Sequence, residues 1–333
     1  MSIRVVDLFA GGGGLSLGFT QAGFEVVAAI ENWKPAVAVY AANFTDHPVI
    51  ELDLANEYKA ASIIQGYQPD MIMGGPPCQD FSSAGKRDES QGRASLTLSF
   101  ANLIARCKPR FFLMENVARA ATSETFKAAL NVFKSAGYGL TIRVLDAAYC
   151  GAPQLRKRLI VVGSLDERDG FLDAALDQGL SVEPMTLRKY FRNRLPFEHY
   201  YRHPRSYARR GVFSVDEPSP TIRGVNRPIP RGYPGHEGDT VAISESLRCL
   251  TTQERARIQT FPATFKLPGC KTDVEQVLGN AVPVKLAEYV ARHLATYIDQ
   301  LEVPCKLGVA YQNQLFESRK KYGAKAATEI VNA

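Results

Sequence analysis

A cysteine in a stiff turn is the residue of this chain best placed for covalent chemistry. The run 74–78 reads Gly-Gly-Pro-Pro-Cys and follows the apolar stretch Met71–Met73, which has the composition of a buried strand. Prolines fix the backbone of the turn, and the carboxyl end of a strand in a parallel sheet borders the crevice where such sheets bind ligands. A thiolate at Cys78 would be a nucleophile there. The remaining cysteines are expected to be small, inert core residues: Cys107, Cys150, Cys249, Cys270 and Cys305.

Glu115 is the first candidate for acid–base chemistry. It directly follows the apolar run Phe111–Met114, so its carboxyl group is expected at the end of a buried strand. A carboxyl group in that position can donate a proton to the nitrogen of a substrate ring, or share one with it. The alternative is a structural carboxylate that caps the next helix.

Two arginines in the segment Gln154–Gly163 form a third candidate group. Alternate residues of an extended segment face the same way, so Gln154, Arg156 and Arg158 should share one side. Two guanidinium groups directed at one pocket suit a phosphate or a base carbonyl. A pair of surface arginines beside a strand is the alternative interpretation.

A run of glycines, 11–14, lies where a predicted strand turns into a predicted helix. Glycines there let a ligand approach the backbone, and the helix N-terminus presents free N–H groups. The pattern therefore predicts an adenosine-bearing cofactor, although a dehydrogenase loop or a tight turn without a ligand has the same appearance.

Three side chains near the ends of the next two strands could complete such a cofactor site. Glu31 could accept both ribose hydroxyl groups. Trp33 could stack on adenine, or it could be a core tryptophan. Asp53 could bind the adenine amino group, or it could cap a helix.

These groups require a sheet whose strand ends meet at one edge. Apolar runs alternate with helical periods from Ile3 to Gly163, which predicts a doubly wound α/β domain around a parallel sheet. The predicted strands are Ile3–Phe9, Phe24–Ile30, His47–Ile50, Met71–Met73, Phe111–Met114, Leu140–Val144 and Arg158–Val162. The predicted helices are Leu15–Ala22, Trp33–Asn43, Ser95–Cys107 and Ser123–Ala136, with Gly23 and Gly137 at the C-terminal caps and helical patterns again near Thr251 and over Val284–Tyr297.

The composition changes after about Asp166, where proline, arginine and tyrosine become frequent and a second domain is predicted. The stretch Arg192–Arg210 has six arginines against one acidic residue, a density that suits a nucleic-acid surface or a solvated basic face. The net charge of +6 is too small to decide between them. The cysteine spacing predicts neither a zinc cluster nor a disulfide framework, and no apolar stretch approaches the ~20 residues of a membrane span. We expect a cytoplasmic protein with reduced thiols.

The candidate segments occur in the order of a known family, and the chain resembles the cytosine-5 DNA methyltransferases. The matching segments are Asp7–Phe19, Glu31, the Pro-Pro-Cys-Gln run 76–79, Glu115–Val117, Gln154–Gly163, Arg248–Pro262 and Leu278–Pro283. Leu155 stands where the family more usually has a polar residue. The consecutive glycines leave the phasing of the glycine contacts open by one residue.

The resemblance implies S-adenosylmethionine as the cofactor and a cytosine flipped out of double-stranded DNA as the substrate. The implied catalytic residues are Cys78 attacking C6, Glu115 at N3, Arg158 near O2, and Arg156 near the DNA backbone or Glu115. The implied cofactor contacts are Phe9, Gly11, Gly13, Glu31, Trp33, Asp53, Pro76, Asn280 and Val282. The candidate DNA contacts are Gln79, Ser82, Arg202, Arg205, Arg209, Arg223, Arg227 and Arg231, and no metal is expected.

The resemblance also implies a division of the chain. A Rossmann-like doubly wound catalytic domain would comprise 1–170 and 272–310, with a smaller, irregular target-recognition domain inserted at 171–271 and a tail at 311–333. The family's usual setting implies a monomer that protects DNA beside a separately acting restriction endonuclease.

Three other functions are compatible with parts of the sequence. An RNA cytosine methyltransferase would use nearly the same catalytic residues, but the variable region lacks the Cys-Phe-Thr run of that subfamily. A regulatory DNA-binding protein of this fold would not need Cys78, Glu115 and both arginines. A nicotinamide-dependent oxidoreductase would explain the glycine run but neither the 74–78 turn nor the basic stretch.

Overall fold

The computed structural model describes residues 2–77, 94–192 and 194–301. The strands are β1 (Arg4–Leu8), β2 (Glu25–Glu31), β3 (Val49–Glu51), β4 (Met71–Gly74), β5 (Phe111–Val117), β6 (Tyr138–Asp146), β7 (Gln154–Leu155), β8 (Lys157–Leu165), β9 (His199–Tyr201), β10 (Val212–Ser214) and β11 (Ser219–Pro220). The helices are α1 (Gly14–Gln21), α2 (Lys34–Asn43), α3 (Glu57–Gly66), α4 (Ala94–Cys107), α5 (Glu124–Ser135), α6 (Asp173–Gln178), α7 (Leu187–Phe191), α8 (Thr252–Ile258), α9 (Lys271–Asn280) and α10, described over 284–301. None of these helices, in the part of the chain described, has the length and apolar character needed to cross a membrane.

The central sheet has seven strands in the order β3-β2-β1-β4-β5-β8-β6. These are the seven strands predicted from the sequence, and the predicted α/β fold is confirmed. The expectation of a parallel sheet is wrong for β8, which runs antiparallel to both β5 and β6. The link 147–156 is too short for the crossover helix that parallel strands need, so the chain returns antiparallel. Helix α3, between β3 and β4, was not predicted.

Both faces of the sheet are buried. Because neighbouring residues of a strand point to opposite sides, each strand contributes side chains to two cores. Val5 and Phe111 pack in one core with Leu286 and Leu294, which lie on α10. Phe112 packs in the other core, which contains residues of α3, α4 and α5. The C-terminal helix therefore folds back onto the first domain.

The predicted second domain, 171–271, does not form a separate core over its whole length. Leu172 and Leu176, the latter on α6, pack in the core with β1 and β5, so the predicted boundary at 171 lies too early. A separate core contains Leu187, Tyr200 and Phe213 and is built around the antiparallel pair β9–β10. The change in composition at 171 marked the start of irregular chain rather than the start of a new core.

Candidate active site

The carboxyl ends of β2, β1, β4 and β5 lie side by side at one edge of the sheet. The glycine run follows β1, the segment 75–77 follows β4, and Glu115 lies near the carboxyl end of β5. The sheet therefore brings the glycine turn and the candidate acid to one crevice. Cys78, Gln79 and Ser82 lie outside the described residues, and Pro76 is buried just before them.

The glycine turn needs glycine for two separate reasons. Gly11 and Gly13 have φ angles of 55° and 83°, a left-handed conformation that side chains disfavour. A Cβ on Gly14 would lie 2.2 Å from the carbonyl oxygen of Val282, so the 280–282 segment packs directly on the turn. At Gly11 the nearest atom to such a Cβ would be the Phe9 carbonyl oxygen at 4.0 Å. The turn is thus packed on one side and open to a ligand at Gly11.

Glu31 fastens the turn to the end of β2. Its Oε2 accepts a hydrogen bond from the Gly11 N–H at 2.8 Å, and its Oε1 accepts from the N–H groups of Asn32 and Trp33 at 2.9 and 2.8 Å. A carboxylate oxygen has more than one acceptor site, so the group keeps capacity for ribose hydroxyls. Trp33 is half-buried at the N-cap of α2, and it packs against the core that contains Val39 and Val277.

Asp53 lies at the mouth of an open groove next to this turn. The groove has a volume of about 580 Å³ and is lined by Asp53, Ala55, Asn56, Glu57 and Tyr58. Asp53 is exposed, and the cap of α3 is Asn56, which accepts from Lys59 N–H. Asp53 is therefore not the cap of that helix, and its carboxylate borders open space.

These features fit the cofactor that the resemblance implies. Open backbone at Gly11, the Glu31 carboxylate and the half-buried Trp33 ring are the kinds of group that would hold the adenosine part of S-adenosylmethionine. Asn280 is exposed and bonded to Gln276, and the buried Val282 packs on the turn.

Glu115 and Arg158 form a close pair at the end of β5. The Arg158 Nε lies 2.7 Å from Glu115 Oε1, and the two side chains are 13% and 10% exposed. The pair forms because Arg158 is opposite Val117 in the β5–β8 register, which puts it diagonally across from Glu115 on the same face. A Cβ on Gly75 would lie 3.1 Å from Glu115 Oε2, so the segment leading to Cys78 passes this carboxylate. Ser123, not Glu115, caps α5.

Arg156 is not directed at this pocket, which corrects the sequence prediction. Its side chain is 1% exposed, and its guanidinium donates to the carbonyl oxygens of Ile222, Gly279 and Ala281, each at 2.9 Å. Burial lowers its pKa well below the usual value, as does nearby Arg158. Arg156 lies between β7 and β8, and the sequence could not show that backbone carbonyls surround its guanidinium.

The predicted DNA-binding arginines divide into two groups. Arg202 and Arg223 are turned inward, donating to the carbonyl oxygens of Thr221 and His203 at 2.8 and 2.5 Å. Burial, with the neighbouring Arg223, lowers the pKa of Arg202 to about 9. The exposed members are Arg205, Arg209, Arg227 and Arg231. Arg202 and Arg223 are thus bound to backbone carbonyls, whereas the side chains of the other four are exposed.

Sequence reasoning missed the buried polar residues at the junction of the two domains. Gln259 is fully buried between the domains, and Arg255 forms a buried ion pair with Glu275. The Thr251 and Glu254 capping box that starts α8 was readable as a helix signal. No local pattern distinguishes Gln259 or Glu275 from surface residues.

A buried hydrogen-bond chain runs beneath the glycine turn. Asp7 accepts from Ser16 Oγ at 2.6 Å, Ser16 Oγ lies 2.7 Å from Tyr40 OH, and Tyr40 OH lies 2.8 Å from His47 Nε2. Asp7 Oδ1 has no hydrogen-bond partner among the residues described. Burial raises the pKa of Asp7 to about 7, the Ser16 hydrogen bond opposes this, and Glu31 adds to it.

Asp7 should make stability fall as pH rises between about 4 and about 7. The folded protein holds a proton on Asp7 that the unfolded chain releases near its usual pKa, so the stabilisation is complete below about pH 4 and is lost as the pH rises through about 7. Over this window the wild type should lose up to about 4 kcal/mol relative to Asp7→Asn. Urea unfolding of both proteins across the window measures the difference. Parallel pH profiles would contradict it.

Comparison with known proteins gives a consistent result. A family model described as C-5 cytosine-specific DNA methylase matches residues 3–296. The chain is 54% identical over 296 residues to the Type II methyltransferase M.HindV of Haemophilus influenzae, covering 89% of this chain and 97% of that protein. It is 53% identical over 298 residues to the Type II methyltransferase M.HgiDI of Herpetosiphon aurantiacus, covering 90% and 96%. The solved structure of the S. pombe Dnmt2 methyltransferase is similar in fold, with a TM-score of 0.65 and 18% identity over 90% of this chain and 99% of that one.

Proposed function

We infer the mechanism from the family: the chain belongs to the C-5 cytosine-specific DNA methylases and is a DNA cytosine-5-methyltransferase. We propose that it transfers the methyl group of S-adenosylmethionine to C5 of a cytosine flipped out of a specific double-stranded sequence. A covalent bond between Cys78 and C6 would carry the reaction. The Glu115–Arg158 pair, beside Gly75 and at the same sheet edge as the glycine turn, is the observation that carries this proposal.

The reaction needs an activated ring because C5 of cytosine is a poor nucleophile. The Cys78 thiolate would form a bond to C6, and the electron pair of the C5–C6 double bond would move to C5, in conjugation with C4 and N3. Glu115 would share a proton with N3, and Arg158 would hold O2 while it holds the Glu115 carboxylate. When bound in the crevice, S-adenosylmethionine supplies an electrophilic methyl group. C5 would form a bond to that methyl carbon as S-adenosylhomocysteine leaves with the electron pair of the broken S–C bond. Water would then take the proton from C5, and the C5–C6 double bond would re-form as the Cys78 thiolate leaves C6.

The target base has to leave the stacked duplex before these groups can reach it. Four arginines of the recognition domain have exposed side chains and are candidates to bind DNA phosphates: Arg205, Arg209, Arg227 and Arg231. Gln79 and Ser82 belong to the segment after Cys78 and are candidates to fill the space left by the base or to hold phosphate.

The two relatives named above are Type II methyltransferases. We propose that this chain likewise belongs to a restriction-modification system, as a cytoplasmic monomer that protects DNA from a separately acting endonuclease. A high level of methylation at one short sequence in the host DNA would support this role.

Label transfer tests the proposed reaction. Incubation with methyl-labelled S-adenosylmethionine and mixed-sequence duplex DNA should place the label in 5-methylcytosine after digestion to nucleosides. Bisulfite sequencing of a methylated plasmid should then show one recurring sequence. Label in N6-methyladenine, or in tRNA but not in DNA, would contradict the proposal.

A further inference from the structure

Arg156 joins three parts of the molecule through one buried guanidinium. It lies between Gln154, at the start of β7, and Arg158, which contacts Glu115. Its Nη1 donates to Ile222 O in the recognition domain, and its Nη2 donates to Gly279 O and Ala281 O on the other side. These acceptors lie next to Arg223 and flank Asn280. One side chain therefore contacts both the recognition segment and the segment that closes the cofactor crevice.

The carbonyls that Arg156 binds on the second side belong to the end of α9. The last carbonyls of a helix lack partners within the helix and carry the negative end of its dipole. A cation there both satisfies these acceptors and interacts favourably with the dipole. The guanidinium thus fixes the direction in which the chain leaves α9 and enters the 280–282 segment.

The recognition segment is bound just as closely on its side. Gln154 Oε1 accepts from Ile222 N–H at 2.7 Å, so both polar backbone groups of Ile222 are held by this short stretch of chain. Thr221 Oγ1 donates to Leu155 O at 2.7 Å, and β11 pairs with β7 in parallel. The segment before Arg223 is therefore docked on the catalytic domain like an added strand.

Two glutamines form a second connection between the recognition segment and α9, beside that of Arg156. Gln154 Nε2 donates to Gln259 Oε1 at 2.8 Å, and Gln259 Nε2 donates to Leu278 O and Ala281 O. Arg255 binds Glu275 of α9 and also the carbonyl oxygen of Arg223. The recognition segment and α9 are therefore linked by the glutamine pair and by Arg255, in addition to Arg156.

The backbones of the 221–224 and 279–282 segments are closely packed. A Cβ on Gly279 would lie 2.2 Å from Gly224 N, so the backbones of the two segments are in direct contact. Val282 then touches Gly14 of the cofactor turn in the same manner. A displacement of 223–224 on DNA docking must therefore move the end of α9, and with it the wall of the cofactor crevice.

We propose that Arg156 is a positioning residue that couples DNA docking on the recognition domain to cofactor binding. The proposal rests on the proposed function for the identity of the two ligands, but not on turnover. DNA docking should fix the 221–224 segment, and through Arg156 should fix the 279–282 segment, so each ligand raises the affinity of the other.

Binding of labelled S-adenosylhomocysteine, measured by equilibrium dialysis with and without duplex DNA that carries the methylated sequence, tests this coupling. In the wild type, DNA should raise the affinity by at least about fivefold. In Arg156→Lys, whose compact amino group lacks the planar fork that reaches carbonyls on two sides, the ratio should fall to below about twofold. Steady-state assays should show higher KM values for both ligands, with kcat at saturation within about threefold of the wild type.

Arg158→Lys is the matched control, two residues along the same chain. It should keep the affinity ratio and lose kcat, the reverse of Arg156→Lys. Thr221→Val decides the matter if Arg156→Lys does not fold, because it removes only the bond to Leu155 O and should still lower the ratio at least twofold. The proposal would be overturned by a wild-type ratio near one or by a folded Arg156→Lys with an unchanged ratio. If Arg156→Lys does not fold, an unchanged ratio in Thr221→Val would overturn it. Intact coupling without methyl transfer would instead refute the proposed function alone.

Discussion

Cys78→Ala should lower kcat for methyl transfer to duplex DNA by about 10⁴-fold or more. Without the thiolate no bond to C6 can form, and the C5 carbon keeps too little electron density to take a methyl group. Binding of S-adenosylhomocysteine should stay within about threefold of the wild type, because the glycine turn and Glu31 hold the cofactor. Rapid-quench assays with labelled cofactor measure the first effect and equilibrium dialysis the second.

Cys107→Ala is the control for this prediction. Burial raises the pKa of Cys107 to about 11 and that of Cys150 to about 12, so both stay as thiols at neutral pH. Cys107→Ala should transfer methyl groups at nearly the wild-type rate. Loss of transfer in Cys107→Ala, with activity retained in Cys78→Ala, would reverse the assignment of the nucleophile.

Glu115→Gln should lower kcat by about 10²- to 10⁴-fold, the second largest effect expected. An amide can hydrogen-bond N3 but cannot give it a proton, and it also removes the charge that holds Arg158 at 2.7 Å. KM for the cofactor should change little, since Glu115 lies beyond the glycine turn. Single-turnover assays at saturating DNA and cofactor give the rate of the chemical step directly.

Glu254→Gln is a matched change in the recognition domain. Glu254 also pairs with an arginine, Arg248, at 2.7 Å, and its side chain is 17% exposed. It lies in the capping box of α8 rather than in the crevice, so the variant should lose stability but keep the rate of the chemical step within about threefold. Equal losses of rate in the two variants would show that Glu115 acts through the fold and not through the base.

Much of the fold was predictable because local patterns report it. Residues 5 and 6, and likewise 111 and 112, pack on opposite faces of the sheet. Because both faces are buried, consecutive residues of these strands are apolar, and the sequence shows them as apolar runs. Gly23 and Gly137 follow helix ends with φ angles of 94° and 95°, as the cap signal predicted. The direction of β8 was not predictable in the same way, since a strand has the same apolar composition whichever way it runs.

The candidate site also contains residues that the sequence could place and one that it could not. Gly11, Glu31 and Glu115 lie at strand ends, so chain order alone places them at one edge of the sheet. Arg156 could not be assigned from the sequence, because its acceptors are backbone carbonyls 66, 123 and 125 residues away. Backbone carbonyls carry no sequence signal, so only the fold shows that this arginine is a structural link.

Trapping of the covalent intermediate tests the central claim most directly. Duplex DNA with 5-fluorocytosine at the target position should stop the reaction after methyl transfer, since fluorine cannot leave C5 as a proton does and the Cys78 thiolate is then not expelled. The account predicts a denaturation-resistant protein–DNA complex that needs S-adenosylmethionine to accumulate, with mass spectrometry of the digested complex placing the bond between Cys78 Sγ and C6. A complex through any other residue, or methyl transfer without any such complex, would contradict it.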